Sequence, residues 1–456
     1  MKPFLLRDAV NACGGRYVGD EAALDQTVTF VTSDSRTAAP GALFVAFRGE
    51  RVDGHRFMKD CLTKGAAACV SEREPEAGET PCIVVESSLK AIGAIAAWHR
   101  SRFRIPVIGI TGSVGKTTTK EMIAAVLSRR FDTHSTEGNH NNELGVPWTL
   151  LRLEDHHQVS VVEMGINHFG EMRRLTNIVR PDIAVFTVIG EAHLEFLGDR
   201  PGVLRAKGEI VEGMPKDGLL ILNGDDDLLA GFDPGQRRVT YGKGPGNDVR
   251  AENISVNGVD GTVCTVRHAG GQFDLRIPGY GVHLVYAALA ASAVGLALGL
   301  TGDEIAAGIA DYHTVGNRAR VIPANGFTIV SDCYNANPNS VRAAVDSLAS
   351  MPGRKVCVLG DMLELGPEGE RLHREIGAYA AKSGASLVLG GGPLGRLIAQ
   401  GARDAGGEAV GFDTRDALIQ ALPTLIRPGD TVLVKSSLGM GFAKVVEALE
   451  GLTPGK

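Results

Sequence analysis

Aromatic side chains are scarce in this chain: Phe, Trp and Tyr together make up 5% of it, with 2 tryptophans in all. Charge of one sign is not in excess either. Against 53 Asp and Glu stand 47 Lys and Arg, a formal net charge of −6. No basic balance therefore points to nucleic acid or to an anionic membrane surface. Clustered cysteine is also missing. Cys13, Cys61, Cys69, Cys82, Cys264, Cys333 and Cys357 are odd in number and show no CxxC or Cys/His metal spacing. That excludes a disulfide framework and predicts free thiols in a reducing compartment. Long uncharged runs are nearly absent. Leu284 to Leu300 is 17 residues without a charge, at the short limit for a membrane-spanning helix. Its richness in Ala and Gly reads better as a helix packed tightly inside a domain. The opening MKPFLLRDAV lacks the apolar core and small-residue cleavage site of an export signal. The expectation is a cytoplasmic protein.

What is present is glycine, 59 residues of it, in a chain of 456. Many glycines with few aromatics suit an α/β architecture with tight strand–helix turns, and the length suggests about three domains. Three blocks stand out. Residues 1–86 carry short β-like runs at Thr27–Thr32, Ala42–Phe47 and Cys82–Glu86, with a helical pattern near His55–Lys64. Residues 87–313 open with a helix-like Leu89–Phe103 and a buried-strand signal at Ile105–Ile110. They continue through strands at Val159–Glu163, Ile183–Val188 and Gly218–Asn223 into a strand-rich stretch and the apolar helix. Residues 314–456 alternate strands at Lys355–Gly360, Ser386–Leu389 and Thr431–Lys435 with helices at Pro367–Ser383, Leu394–Ala405, Thr414–Leu425 and Met440–Leu449. Such alternation predicts parallel sheets with right-handed crossovers.

The strongest local signal is VIGITGSVGKTTTKEMIAAVL at 107–127. An apolar strand enters a glycine turn and then a helix. The turn's backbone N–H groups and the helix N-terminus suit phosphate oxygens. Lys116 would sit on the β- and γ-phosphates and the Thr117 hydroxyl on Mg²⁺. The first glycine of the usual pattern is Ile110, and Gly112 supplies it two residues later. The loop Thr136–Pro147, crowded with amides, is either functional or a capping loop. Glu163 and His193 each follow an apolar strand, where ligands gather in open α/β sheets. Both could join Thr117 around the cation. A decoy, GGGPLG at 390–395, matches a dinucleotide fingerprint. It follows the third block's second strand and contains Pro393, so a structural glycine turn is the better reading.

Together these segments resemble the Mur ligases of peptidoglycan synthesis. The likeness rests on SDSR (33–36) with LFVAFRGERVDGHRF (43–57), TGSVGKTTTKEM, EGNHNNELGVP, VVEMGINHFGE (161–171), GEAHLEFLG (190–198), AKGEI (206–210), DCYNANPNS (332–340) and GDMLELG (360–366). The DNPR-type signature of the diaminopimelate- or lysine-adding members is absent, which favours the dipeptide-adding member. The resemblance implies an α/β enzyme of three domains: an N-terminal domain for the UDP end of the substrate, a central P-loop ATPase domain on a parallel sheet, and a C-terminal Rossmann-like domain. It implies ATP and Mg²⁺, with UDP-N-acetylmuramoyl-tripeptide and D-alanyl-D-alanine as small-molecule substrates of a monomer. By the same resemblance Ser35 and Arg36 would bind the UDP end. Gly112, Ser113, Val114, Gly115, Lys116, Thr117 and Thr118 would form the ATP phosphate loop, and Arg318 would reach the γ-phosphate. Glu163 and His193 would be magnesium ligands and Lys207 a carbamylated lysine, while Asn335 and Asn337 would lie near the dipeptide. Four positions depart from the family pattern: Val188, Leu284, Ala287 and Leu438 replace polar or charged residues. A binding protein without turnover, a folylpolyglutamate-synthase-type ligase and a nicotinamide enzyme are the rival readings.

Overall fold

The computed structural model describes residues 1–49, 52–256, 261–279, 281–313 and 320–453. Its backbone forms three larger sheets and a two-stranded ribbon of Phe4–Leu5 with Thr27–Val28. The first sheet has five strands in the order Arg16–Val18, Cys82–Val84, Ala68–Ser71, Ala42–Val45, Phe30–Thr32. All its neighbours are parallel except the first pair.

The second sheet has nine strands. Seven run parallel, in the order Thr133–Ser135, Val159–Glu163, Val107–Thr111, Ile183–Phe186, Leu219–Asn223, Arg237–Gly242, Val249–Val256. The antiparallel pair Thr262–His268 and Gly271–Ile277 completes it. Both faces are covered, which is why its strands read as continuous apolar runs. Successive residues still alternate between two cores. Ile108, Ile110, Val161, Val185 and Ile221 face helices Lys116–Leu127 and His283–Ala297. Val107, Val162, Ala184, Phe186 and Leu222 face helices Ser88–Ser101, Gly145–Leu151 and Glu171–Val179.

The uncharged stretch is helix His283–Ala297, buried almost all round. Its small residues let helices approach closely: a Cβ on Gly295 would stand 3.1 Å from Val126 Cγ1. Among the described residues no helix is long and apolar enough to cross a membrane. The seven cysteines, all described, form no disulfide, and six of them are buried.

The third sheet orders its six strands Arg320–Pro323, Thr328–Asp332, Asp430–Lys435, Arg354–Gly360, Leu387–Gly391, Ala409–Phe412, all parallel beyond the first pair. Helix Gly395–Asp404 follows the GGGPLG turn. Its N-terminal amides are already taken: Gly395 N and Leu394 N donate to Asp361 Oδ1 at 2.6 and 3.2 Å. A Cβ on Gly390 would lie 2.0 Å from the Gly395 carbonyl oxygen. The glycines there serve close strand–helix packing, and the chain's own carboxylate occupies the anion position.

Candidate functional site

The phosphate loop joins strand Val107–Thr111 to helix Lys116–Leu127, in the middle of the nine-stranded sheet. Two glycines make the turn possible. Gly112 has φ +145° and a Cβ there would stand 1.9 Å from Thr187 Oγ1. Gly115, with φ +81°, immediately precedes the helix. The loop is tied to the neighbouring strand end: Ser113 N donates to Val188 O (2.8 Å), and Thr187 Oγ1 donates to Val114 O (2.6 Å). Lys116 Nζ folds back on Gly112 O at 2.8 Å. Thr118 lines the same cavity as the loop.

Thr117 donates its hydroxyl to Glu163 Oε2 at 2.7 Å. Asn141 Nδ2 donates to the other carboxylate oxygen at 2.7 Å, and Thr136 Oγ1 accepts from Glu163 N. The amide-rich loop Thr136–Pro147 therefore serves the site through Asn141. His193 lines the cavity as well and adopts φ +55°. Its Nδ1 meets Glu364 Oε2, from the third block, at 2.5 Å. Burial is the main cause that lowers the His193 pKa. In the neutral ring Nδ1–H donates to Glu364, and Nε2 keeps its lone pair.

Lys207, on helix Arg200–Gly208, is fully buried. Its Nζ has no hydrogen-bond partner among the described residues. Burial, reinforced by Lys116, drives its pKa well below the ordinary lysine value. Thr117, Glu163 and His193 thus share one cavity, whereas Lys207 is not among its lining residues. Among the described residues no three His, Cys, Asp or Glu side chains come together as a metal cage.

The cavity encloses about 940 Å³ and is walled by two blocks. From the third come Asp332, Asn335, Asn337 and Lys435. Lys435 Nζ reaches Asp332 Oδ2 (2.5 Å) and Asn335 O (3.0 Å). Asn337 accepts from Ser340 N at 2.9 Å and so caps helix Pro338–Ala349. Asn335 Oδ1 accepts from Ala336 N. Ser35 and Arg36 are not among the cavity's lining residues. Arg36 is exposed and pairs with Asp34, holding that carboxyl down to about 2. Arg318 lies outside the described residues.

Leu284 and Ala287 face the cavity from the apolar helix. The motifs alone did not single out Asp225 beside them. Its carboxylate accepts from Lys243 N, Gly244 N, Asn247 Nδ2 and Tyr286 Oη. The clue available in the sequence was the triple aspartate after an apolar strand, LILNGDDD at 220–227.

Three domain descriptions match the chain: "Mur ligase family, catalytic domain" over residues 27–107, "Mur ligase middle domain" over 110–295, and "Mur ligase, glutamate ligase domain" over 317–438. The UDP-N-acetylmuramoyl-tripeptide–D-alanyl-D-alanine ligase of Escherichia coli (strain K12) is 39% identical over 95% of this chain and 96% of its own. MurF from Acinetobacter baumannii superposes with a TM-score of 0.91 at 32% identity, covering 99% of this chain and 100% of that one. The MurF ligase of Thermotoga maritima, solved in complex with ADP, gives a TM-score of 0.83 at 29% identity, over 93% and 97%. Likeness at this identity over the whole length, together with the phosphate loop and its Thr117–Glu163 pair, establishes that the chain belongs to the Mur ligase family.

Proposed function

We propose that the protein joins D-alanyl-D-alanine to the tripeptide of UDP-N-acetylmuramoyl-tripeptide at the expense of ATP, as a monomeric cytoplasmic enzyme making a peptidoglycan precursor. One observation carries the reading: a phosphate loop and the Thr117–Glu163 pair share a cavity with Asn335, Asn337 and Lys435 of another block. A site walled by two blocks suits a reaction that brings a nucleotide, an acid and an amine together. The relatives' names and the ADP bound to the T. maritima neighbour support it. Residues 1–86 would bind the UDP end through Ser35 and Arg36. Residues 87–313 would bind ATP. Residues 314–456 would present the dipeptide near Asn335 and Asn337.

A carboxylate is a poor electrophile toward an amine. Transfer of the γ-phosphoryl group breaks its bond to ADP and gives an acyl phosphate, which has a good leaving group. The amine of D-alanyl-D-alanine attacks the acyl carbon, loses a proton, and phosphate departs. The chain's part is positioning and charge neutralisation. Loop N–H groups and Lys116 hold the β- and γ-phosphates.

The residues fit a hard divalent cation: the Thr117 hydroxyl and Glu163 carboxylate are oxygen donors beside the loop, with His193 in the same cavity. Mg²⁺ bound there would neutralise phosphate charge. An ammonium at Lys207 would repel such a cation. Its burial and lack of a partner favour the neutral amine. That amine can add to carbon dioxide, forming an N–C bond and releasing a proton. The carbamate left behind would carry two oxygen donors of the kind a hard cation prefers.

The test is ADP release with UDP-N-acetylmuramoyl-tripeptide, with and without D-alanyl-D-alanine. Sustained release only with both substrates is expected. Release indifferent to the dipeptide, or none, overturns the reading.

A further inference from the structure

Segment Gly190–Glu195 of the central block is gripped by the third block along its length. Glu191 N donates to Asn339 Oδ1 at 2.9 Å, and Arg342 reaches Glu191 Oε2 at 3.2 Å. Gly190 has no room for a side chain: a Cβ there would stand 2.6 Å from Asn339 Oδ1. Glu364 holds the far end with two contacts. Its Oε2 meets His193 Nδ1 at 2.5 Å, and its carbonyl accepts from Glu195 N at 3.3 Å. The near end of the segment is tied to the phosphate loop, because Gly190 N donates to Ser113 Oγ at 2.9 Å.

The loop carrying Glu364 is held by its own block. Met362 N donates to His373 Nε2 (2.9 Å), and Leu363 N to Ser437 Oγ (3.0 Å). Both members of the pair depart from ordinary backbone. His193 has φ +55° and Glu364 φ +62°, a region costly for residues with a side chain. Two such residues touching across blocks mark a contact that the surrounding structure over-determines.

We propose that Glu364 is a positioning residue: from the third block it fixes the tautomer and ring orientation of His193, so that Nε2 is presented to the cation only while the third block is docked. A histidine that ligates a metal commonly donates its other ring N–H to a carboxylate, which sets its orientation and raises its basicity. Here that carboxylate comes from a different block, 171 residues away in sequence. Cation affinity thereby reports docking. The inference rests on the reading of His193 as a cation ligand.

The experiment titrates the full-length protein, saturated with ADP, with Mn²⁺ and reads bound metal by paramagnetic resonance. The variants are Glu364→Ala, Glu364→Gln and His193→Ala; melting temperature and metal-free ADP affinity monitor the fold. Glu364→Ala is expected to keep its ADP affinity and lose about 10–100-fold in Mn²⁺ affinity, the scale for removing such an outer partner. Glu364→Gln, whose amide oxygen can still accept from Nδ1, is expected to recover most of that loss. His193→Ala binding Mn²⁺ like the unaltered protein would overturn the ligand reading and the inference with it. If His193→Ala loses affinity and Glu364→Ala does not, the inference alone falls.

Discussion

At the scale of single residues, two lysines of the central block sit in opposite environments. Lys116 is at the loop, its Nζ 2.8 Å from Gly112 O, poised for phosphate. Lys116→Ala should cut kcat by at least about 10²–10³-fold, the scale of losing one preorganised charge-stabilising donor. Near-normal turnover of that variant would refute the phosphate-loop assignment. Lys207 is sealed in, and its Nζ has no hydrogen-bond partner among the described residues. Lys207→Ala should lose most activity, and acetate or formate added to it should restore part by supplying the missing oxygens. A fully active alanine variant would dispose of the carbamate. Elsewhere, two buried histidines make stability depend on pH. Burial pushes His99 and His134 from 6.5 down to about 4. Between those values the unfolded chain binds more protons than the fold, so stability is full above pH 6.5 and falls as pH drops toward about 4. Denaturant midpoints should follow that course, with a smaller drop in His134→Gln; a midpoint flat from pH 7 to 4 would contradict it. None of this burial is visible in the sequence, where His99 and His134 are merely two of 12 histidines.

At the scale of elements, the sequence spoke clearly where an apolar run had a glycine turn or a cap after it. Val107–Thr111 with Lys116–Leu127, Val159–Glu163 and Asp430–Lys435 were all legible within a residue or two. Ala68–Ser71 was not, because a strand of small residues buried on both faces shows no alternation. Nor was Thr328–Asp332, whose parallel partners Thr431, Val432 and their neighbours lie a hundred residues on. Helix Pro338–Ala349 did carry a signal, Asn337 as cap with Pro338 in the first turn. Helix His283–Ala297 shows how an element can tune function. It turns Leu284 and Ala287 toward the cavity in place of polar residues. Those two side chains offer a base no hydrogen bond, which weakens discrimination between purines. Measurable turnover with GTP or ITP beside ATP is therefore expected. A preference for ATP above about 10⁴-fold, the selectivity of a dedicated hydrogen-bonding site, would refute it.

At the scale of the whole molecule, what the sequence could not reveal is which blocks meet. The contacts that assemble the site join residues far apart: Glu191 with Asn339 and Arg342, His193 with Glu364. Each is a polar pair whose positions in the sequence give no sign that the two members meet. Ser35 and Arg36 remain outside the cavity's lining, although the proposed reaction needs the UDP-linked substrate's far end to reach it. A cavity of about 940 Å³ is at the upper end of the range that suits a single small ligand, about 300–1,000 Å³. Substrates have to enter and water has to be kept from the acyl phosphate, so the blocks are expected to part and then close. The polar contacts on Gly190–Glu195 join the two blocks and so should change in any such movement. Small-angle scattering should show the radius of gyration changing on addition of a non-hydrolysable ATP analogue with UDP-N-acetylmuramoyl-tripeptide. The Asn339→Ala and Glu364→Ala double variant should resemble the more open form before ligands are added. Identical profiles with and without ligands, in both proteins, would mean that the blocks do not move and that substrates enter by another route.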